Sequence, residues 1–230
     1  VGDITYIKTE KDGWCYLASV LDLHTKKIVG YSFSKHMNKE IVIEALDNAI
    51  LTGEVTPPSK NGYFPTPKAI VMKLCDLADI QPGQCALEPS AGQGAISTEL
   101  YHRGAKVFAC ELLEANRKAL LEDGMPAISL FSEPDFMKLE TTQLFDRVVM
   151  NPPFEKRQDV IHVRKAFDML VSGGRLVSIM SAGVKFREDR IGREFRDFVQ
   201  SHNGRIIDLP DGSFKESGTG VNTVMVVVDR

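Results

Sequence analysis

The stretch Leu87-Glu88-Pro89-Ser90-Ala91-Gly92-Gln93-Gly94 decides the fold. An apolar run from Cys85 to Glu88 leads into it, and a helical pattern from Gly94 to Arg103 leads out. A strand that gives way to a helix through two closely spaced glycines is a βα turn, because glycine accepts the backbone angles of the bend and lets the main chain approach a ligand. The helix that follows presents its free N–H groups to whatever sits there. Such turns also arise for packing alone, so the flanks decide. No Gly-Lys-Ser or Gly-Lys-Thr follows, which excludes the phosphate-cradling P-loop. The next strand, Lys106 to Glu111, ends in an acid, and a carboxylate there can accept hydrogen bonds from two ribose hydroxyls. A nucleoside-containing cofactor fits both features.

Outward from this turn, strands and helices alternate. Helices are expected at Pro67–Ala78, Glu114–Glu122, Val160–Leu170 and around Arg190–Gln200. Further strands are expected near Ile128 and Val148, and at Arg175–Met180, Arg205–Leu209 and Val221–Val228. This alternation implies right-handed βαβ crossovers and an α/β fold with a mostly parallel twisted sheet. Only a loop joins the last two strands, so the final one is expected to enter antiparallel. Gly173–Gly174 and Ser217–Thr223 read as a turn and a loop on the substrate side.

Before residue 55 the pattern changes. Asp3–Ile7, Trp14–Leu23 and Ile28–Phe33 read as an antiparallel meander, broken by turn-prone Lys11–Gly13 and His24–Lys26. Ile41, Ala45, Leu46 and Ala49 recur at helical spacing behind an Asn38 cap. The breaker-rich run around Thr56, Pro57, Pro58 and Gly62 reads as a linker. The expected organisation is a meander-plus-helix segment over 1–54, a linker over 55–62 and an α/β domain over 63–230.

Composition narrows the class. The 230 residues are 43% hydrophobic and 26% charged, which excludes intrinsic disorder and fibrous architectures. The net charge of -3 excludes a uniformly basic surface but not a local basic face. No apolar run approaches the ~20 residues of a membrane span, and Val1–Glu10 lacks a signal-peptide layout, so a soluble cytoplasmic protein with no membrane partner is expected. Cys15, Cys75, Cys85 and Cys110 form no CxxC pair and no metal-ligand grouping; they read as reduced, mostly buried thiols, and no bound metal is expected.

The most specific motif is Asn151-Pro152-Pro153-Phe154, directly after the apolar strand Val148–Met150. Two prolines cannot continue a ladder, so they lock a rigid loop at the C-terminal edge of the sheet, where open α/β sheets bind ligands. Together with Phe64–Pro67 (FPTP), the turn Leu87–Gly94 and Cys110–Leu113 (CELL), this loop resembles the class I methyltransferases that use S-adenosylmethionine to methylate amino groups, specifically the N6-adenine DNA methyltransferases. The resemblance spans roughly residues 61–230 and implies a Rossmann-like fold. It further implies that Phe64, Thr66 and Pro67 hold the methionine end of the cofactor. Glu88, Pro89, Ala91, Gly92 and Gly94 would lie against its amino acid and ribose, and Glu111 and Leu112 would meet the ribose and its surroundings. Asp135 and Phe136 would receive the adenine ring, although Asp135 also fits a helix cap after Pro134.

The chemistry accounts for these residue types. Adenine's exocyclic amine is a poor nucleophile, whereas a sulfonium methyl is already activated, so no covalent intermediate is needed. Asn151 and the Pro152 carbonyl would accept both N–H bonds and aim the lone pair, with Phe154 stacked on the base. In duplex DNA that amine is paired, so the target must be flipped out or single-stranded. The same loop could serve RNA amines or protein glutamine; FPTP favours DNA over glutamine. A catalytically idle, transposase-derived DNA-binding protein is the alternative of another class. The order of motifs resembles the subgroup whose recognition domain lies C-terminal to the catalytic one, and a separate recognition subunit or absent segment is expected to supply specificity. Lys185–Arg196 is rich in arginine but interleaved with acids, which favours a solvated helix face over a phosphate path.

The opening residues resemble another family. Gly2–Ile7 (GDITYI), Gly13–Ser34 and Glu44–Ile50 (EALDNAI) resemble the start of the integrase core of insertion-sequence transposases, an RNase H-like fold. Asp3 matches the first metal-binding carboxylate of that core, but the chain leaves the pattern before the other two, so no two-metal site is expected. Asp22, Asp47 and Trp14 are expected in structural or surface roles.

Overall fold

The computed structural model describes residues 2–9, 13–21, 28–51, 65–122, 128–215 and 221–230. Phe64, Asp22, the turn His24–Lys26 and the linker lie outside them, as does most of Ser217–Thr223. The chain divides into two compact units, Val1–Lys60 and Asn61–Arg230.

In the first unit, β1 (Gly2–Thr9), β2 (Gly13–Leu21) and β3 (Ile28–Ser34) form an antiparallel meander followed by α1 (Lys39–Leu51). The Asn38 side chain caps that helix by accepting the Ile41 N–H at 3.3 Å. Ile41 and Ala45, one helical turn apart, settle on Ala18, with Ile4, Tyr16 and Val20 packed around them. That is a thin core. Trp14 and Tyr31 are more than half exposed.

The second unit opens with α2 (Lys68–Ala78) and then alternates β4 (Cys85–Glu88), α3 (Ala95–His102), β5 (Lys106–Ala109), α4 (Glu114–Glu122) and β6 (Ile128–Leu130). It continues with β7 (Phe145–Met150), α5 (Gln158–Asp168), β8 (Leu170–Ser181), α6 (Arg190–Ser201), β9 (Arg205–Asp208) and β10 (Thr223–Asp229). The sheet order is β6-β5-β4-β7-β8-β10-β9. Pairings from β6 to β8 are parallel, and β10 runs antiparallel between β8 and β9. The second unit is thus an α/β fold with a mostly parallel sheet and an antiparallel last strand, and the first is a small antiparallel meander with one helix.

Successive strand residues point to opposite faces, so unbroken apolar runs mark strands buried on both sides. Val149, Met225 and Val227 face α2 and α3 through Leu74, Cys75, Ile96 and Leu100. Val148, Val224 and Val226 face α5 and α6 through Val163, Phe167, Phe195 and Val199. Because the chain builds outward in both directions from β4 and β7, the crevice at their C-terminal ends is a topological switch point. The turn after β4 and the loop after β7 therefore lie side by side.

Two expectations need correction. β5 stops at Ala109, so Cys110 and Glu111 lie just past the strand, where the chain is already turning toward α4. Gly173 and Gly174 lie inside β8 at the end remote from the crevice, not in a turn on the substrate side. The Gly173 N–H donates to the Arg230 carbonyl at 2.7 Å, and the Arg230 N–H donates to the Gly174 carbonyl at 2.9 Å. The β7–β8 register shifts there, and a Cβ on Gly174 would sit 2.9 Å from the Val171 carbonyl oxygen. The glycines serve this close approach.

Cys15, Cys75 and Cys110 are buried free thiols and Cys85 is half-buried. Burial pushes Cys75 and Cys110 up to about 12, which keeps both protonated and unreactive. No helix among the described residues is long and apolar enough to cross a membrane.

Candidate functional site

Gly92 and Gly94 both adopt left-handed backbone angles, with φ of 56° and 87°. This conformation brings the Gly94 N–H to the Ala91 carbonyl at 2.9 Å and frees the first turn of α3 to face the crevice. The turn is tied to the neighbouring strand, because the Ala91 N–H donates to the Cys110 carbonyl at 3.0 Å.

Next to this turn is a small cleft, open to solvent and lined by Thr66, Glu88, Ser90, Ala91, Ile96 and Asn151 among others. It brings together three of the sequence motifs: FPTP through Thr66, the glycine turn, and NPPF through Asn151. The Asn151 side-chain amide donates to the Thr66 hydroxyl at 3.1 Å, across 85 positions of sequence. That bond uses the nitrogen end of the amide and leaves its oxygen as an acceptor.

Glu88 is 1% exposed and accepts a hydrogen bond from the Ser97 hydroxyl. Burial holds its carboxyl well above the usual carboxylate range, and the Ser97 bond only partly opposes that shift. Pro89 is buried beside it. Glu111, also buried, accepts three donors: the Gly92 N–H at 2.7 Å, the Leu113 N–H at 2.8 Å and the Asn116 amide at 3.3 Å. A carboxylate offers about four acceptor positions, so Glu111 has little capacity left for two further hydroxyls unless one donor yields. Leu112, by contrast, is largely exposed.

The SEPDF segment lies at the same edge of the sheet. The Cys110 thiol donates to the Glu133 and Pro134 carbonyls at 3.2 and 3.3 Å. Asp135 caps a short turn, its carboxylate accepting the Met137 N–H at 3.0 Å, with Lys138 at 3.5 Å. Phe136 is buried in the core facing α5, with its ring 5.4 Å from that of His162. Burial pulls His162 down to about 4, so its ring is neutral near pH 7.

After β7, Pro152 is buried, while Pro153 and Phe154 are half-buried, with Phe154 packed against the core on the α2–α3 side. Lys156 and Arg157 follow in left-handed conformations, φ 49° and 64°. Non-glycine residues persist there only when their surroundings hold them. Arg157 is held by a forked ion pair to Asp189, which also caps α6 by accepting the Gly192 N–H at 2.9 Å. Asp159, 2% exposed, accepts the Ser181 N–H at 3.1 Å and joins the start of α5 to the end of β8. Its carboxyl is raised by burial against those hydrogen bonds.

Sequence reasoning missed Ser97, Asn116, Asp159 and the Cys110 thiol. Asn116 follows Glu111 by five positions, a signal visible only once the end of β5 is placed against α4. The arginines of α6 pair as the interleaved acids imply, Arg190 with Glu194 and Arg196 with Glu188.

Sheet order, antiparallel insert and crevice define the fold of the class I S-adenosylmethionine-dependent methyltransferases. Among solved structures, a methyltransferase subunit of a type I restriction-modification system from Streptococcus thermophilus matches with a TM-score of 0.62 and 14% identity, over 84% of this chain and 55% of that one. A protein from Listeria monocytogenes assigned to the class I S-adenosylmethionine-dependent methyltransferases matches with a TM-score of 0.62 and 14% identity, over 85% of this chain and 69% of that one. Residues 1–58 match the integrase core domain family. Over 49 residues the chain is 43% identical to transposase InsF of insertion sequence IS3A from Escherichia coli, covering 21% of this chain and 17% of the transposase. The chain thus spans about half of the type I subunit and about a sixth of the transposase.

Proposed function

We propose that residues 63–230 bind S-adenosylmethionine and methylate the exocyclic N6 amine of adenine in DNA. One observation carries this reading: the Asn151–Thr66 hydrogen bond, which joins NPPF to FPTP on a cleft shared with the glycine turn. The residues fit the cofactor, because a ligand with a cationic sulfur and an ammonium group would favour the charged form of the buried Glu88 carboxyl on the cleft, which burial alone holds protonated. Thr66, Pro67 and Phe64 would hold its methionine end. Glu88, Pro89, Ala91, Gly92 and Gly94 would flank its amino acid and ribose. Glu111, Leu112 and Asp135 would border the nucleoside, with the buried Phe136 ring backing that edge from the core. When bound, the cofactor would supply an activated methyl group for in-line transfer to the amine nitrogen, with the carbon–sulfur bond breaking, the neutral thioether leaving and one amine proton passing to solvent.

Asn151 does the positioning. With its nitrogen held by Thr66, its oxygen and the Pro152 carbonyl are the two acceptors for the amine hydrogens. Accepting both makes the nitrogen more tetrahedral and fixes its lone pair. Pro153 stiffens the loop and Phe154 offers the base a ring. The likeness to a restriction-modification subunit supports a DNA target and a separate subunit that supplies sequence recognition.

The test is incubation with methyl-labelled S-adenosylmethionine and separate pools of DNA, RNA and protein. Label in DNA at adenine N6, lost in Asn151→Ala, is the expected result. Label confined to RNA or to protein glutamine would transfer the same loop to another substrate, and no label in any pool would leave the methyltransferase unit idle.

A further inference from the structure

The segment after β8 contains the most exposed large apolar side chain among the described residues. Phe186 is 69% exposed and stands within Lys185-Phe186-Arg187-Glu188-Asp189-Arg190. An exposed ring gains nothing from burial, and on a loose loop it would fold back onto the protein. Here the backbone is held on both sides. The Phe186 and Arg187 N–H groups donate to the Gly183 carbonyl at 3.3 and 3.1 Å. Arg196 donates to the Arg187 carbonyl at 2.7 Å. Gly192 lies so close that a Cβ there would sit 2.6 Å from the Arg187 carbonyl oxygen. The ring is therefore presented on a rigid support.

Its place is equally defined. β8 pairs in parallel with β7 up to Met150 and Ser178, so the segment after β8 leaves the sheet at the same edge as the NPPF loop. The Arg157–Asp189 ion pair ties the two segments, three residues after Phe154 on one side and three after Phe186 on the other. Exposed cations stand on the same two segments. Glu188, Asp189 and Glu194 are each engaged by an arginine of this surface, whereas Lys156, Arg187 and Arg193 have no carboxylate within ion-pair distance among the described residues.

We infer that Phe186 is an opening wedge for double-stranded nucleic acid: its ring enters the base stack beside the target and fills the space the target base vacates, while Lys156, Arg187 and Arg193 take the flanking phosphates. This rests on the nucleic-acid substrate proposed above. The chemistry favours nucleic acid over a protein partner, because a protein-docking patch surrounds its aromatic anchor with further apolar side chains. Here the flanking residues in sequence are charged, and within residues 185–193 only Ile191 adds an exposed apolar group. A ring stacks on any base, and phosphates neutralise the cations of the two segments. An inserted ring offsets the unstacking that flipping requires, a term present for a duplex and absent for a single strand.

The experiment compares the full chain with Phe186→Ala and Phe186→Trp on long heterogeneous duplex DNA and on the same DNA after heat denaturation. Two readouts are needed: methyl transfer, and permanganate reactivity of thymines unstacked in the bound duplex, which requires no methylation. Phe186→Ala should lose about tenfold or more of its transfer to duplex, keep its transfer to single strands, and lose the permanganate signal. Phe186→Trp should retain both. Unchanged permanganate reactivity together with an unchanged duplex-to-single-strand ratio in Phe186→Ala would overturn the wedge and leave the ring to a protein contact. Equal losses on both DNA forms would also overturn it. Failure of the unmutated chain to methylate any DNA would overturn the proposed function instead, and the permanganate signal would still decide the wedge.

Discussion

The two units of this chain invert the usual relation between sequence likeness and structural completeness. The first matches a transposase at 43% identity over 49 residues, yet among the described residues its buried apolar set is small, with Ile41 and Ala45 of one helix on Ala18 and only Cys15 and Val29 besides. The second matches solved methyltransferase structures at 14% identity, yet its seven-stranded sheet is covered on both faces and ends in an organised crevice. High identity over a fragment reports descent of the fragment. A closed core with converging motifs is what a site requires, because chemistry of this kind depends on a few side chains brought together and tolerates replacement almost everywhere else.

The sharpest way to break this comparison is at Asn151. Asn151→Ala should lower methyl transfer by about 10²–10³-fold or more, the range for loss of one preorganised polar contact to the reacting group. Cofactor affinity by calorimetry should stay nearly intact. Transfer at the unmutated rate would mean that NPPF is only a turn. Phe154→Ala should lose most activity and Phe154→Trp keep part of it, since base–aromatic stacking is worth about 1–3 kcal/mol.

Glu111→Ala should weaken S-adenosylmethionine binding by about 1–3 kcal/mol, typical for hydrogen bonds to a charged acceptor. The variant also frees the Gly92 N–H, so its affinity reports on the turn as well as on the ribose. Unchanged affinity would place the ribose elsewhere.

Glu88 gives a pH test. Its folded-state carboxyl is raised above the ordinary 4.5, so the folded chain holds that proton more tightly than the unfolded chain. Its contribution to stability is complete below 4.5 and declines as pH rises toward the folded value, with a slope of at most about 1.4 kcal/mol per pH unit. Glu88→Gln, which keeps an acceptor for Ser97, should flatten that decline in urea titrations between pH 5 and pH 8. Parallel curves for the two proteins would show that Glu88 is ionised in the folded chain.

The smallest effect is expected from the first unit. Removing residues 1–58 should leave cofactor binding and the unfolding midpoint of the second unit almost unchanged, with solubility or assembly the property that changes, because the deletion takes away the exposed apolar surface of Trp14, Tyr31 and Phe33. The full chain with magnesium or manganese should show no DNA strand transfer, since Asp3 alone matches the family's carboxylate set. Metal-dependent joining that disappears in Asp3→Ala would give the first unit an activity of its own.

What the sequence made legible was local. Helix periods, strand runs and breakers placed the elements, and the two-sided burial of β10 was already written in the unbroken run from Val224 to Val228. The glycine turn and NPPF were legible because each packs its constraint into a few consecutive residues. What stayed hidden depends on distant partners. The Thr66–Asn151 bond spans 85 positions, and the three donors on Glu111 converge from a turn, a loop and a helix. Phe136 gave no sign that its ring would face the core and His162. Gly173 and Gly174 look like a turn in sequence because a β-bulge and a turn demand the same residue type.

The placement of β10 bears on the order in which this protein can be made. β9 finds its sheet partner only in β10, and β10 must enter between β9 and β8. On the ribosome, β4 to β8 can assemble as their residues emerge, but β9 must wait until residues 223–229 have been synthesised. Until then Val177 and Ile179 lie on an open strand edge, exposed to pairing with other chains. A chain cut at residue 222 would therefore lose two strands rather than one, and its failure would show as aggregation during synthesis before any loss of catalysis could be measured.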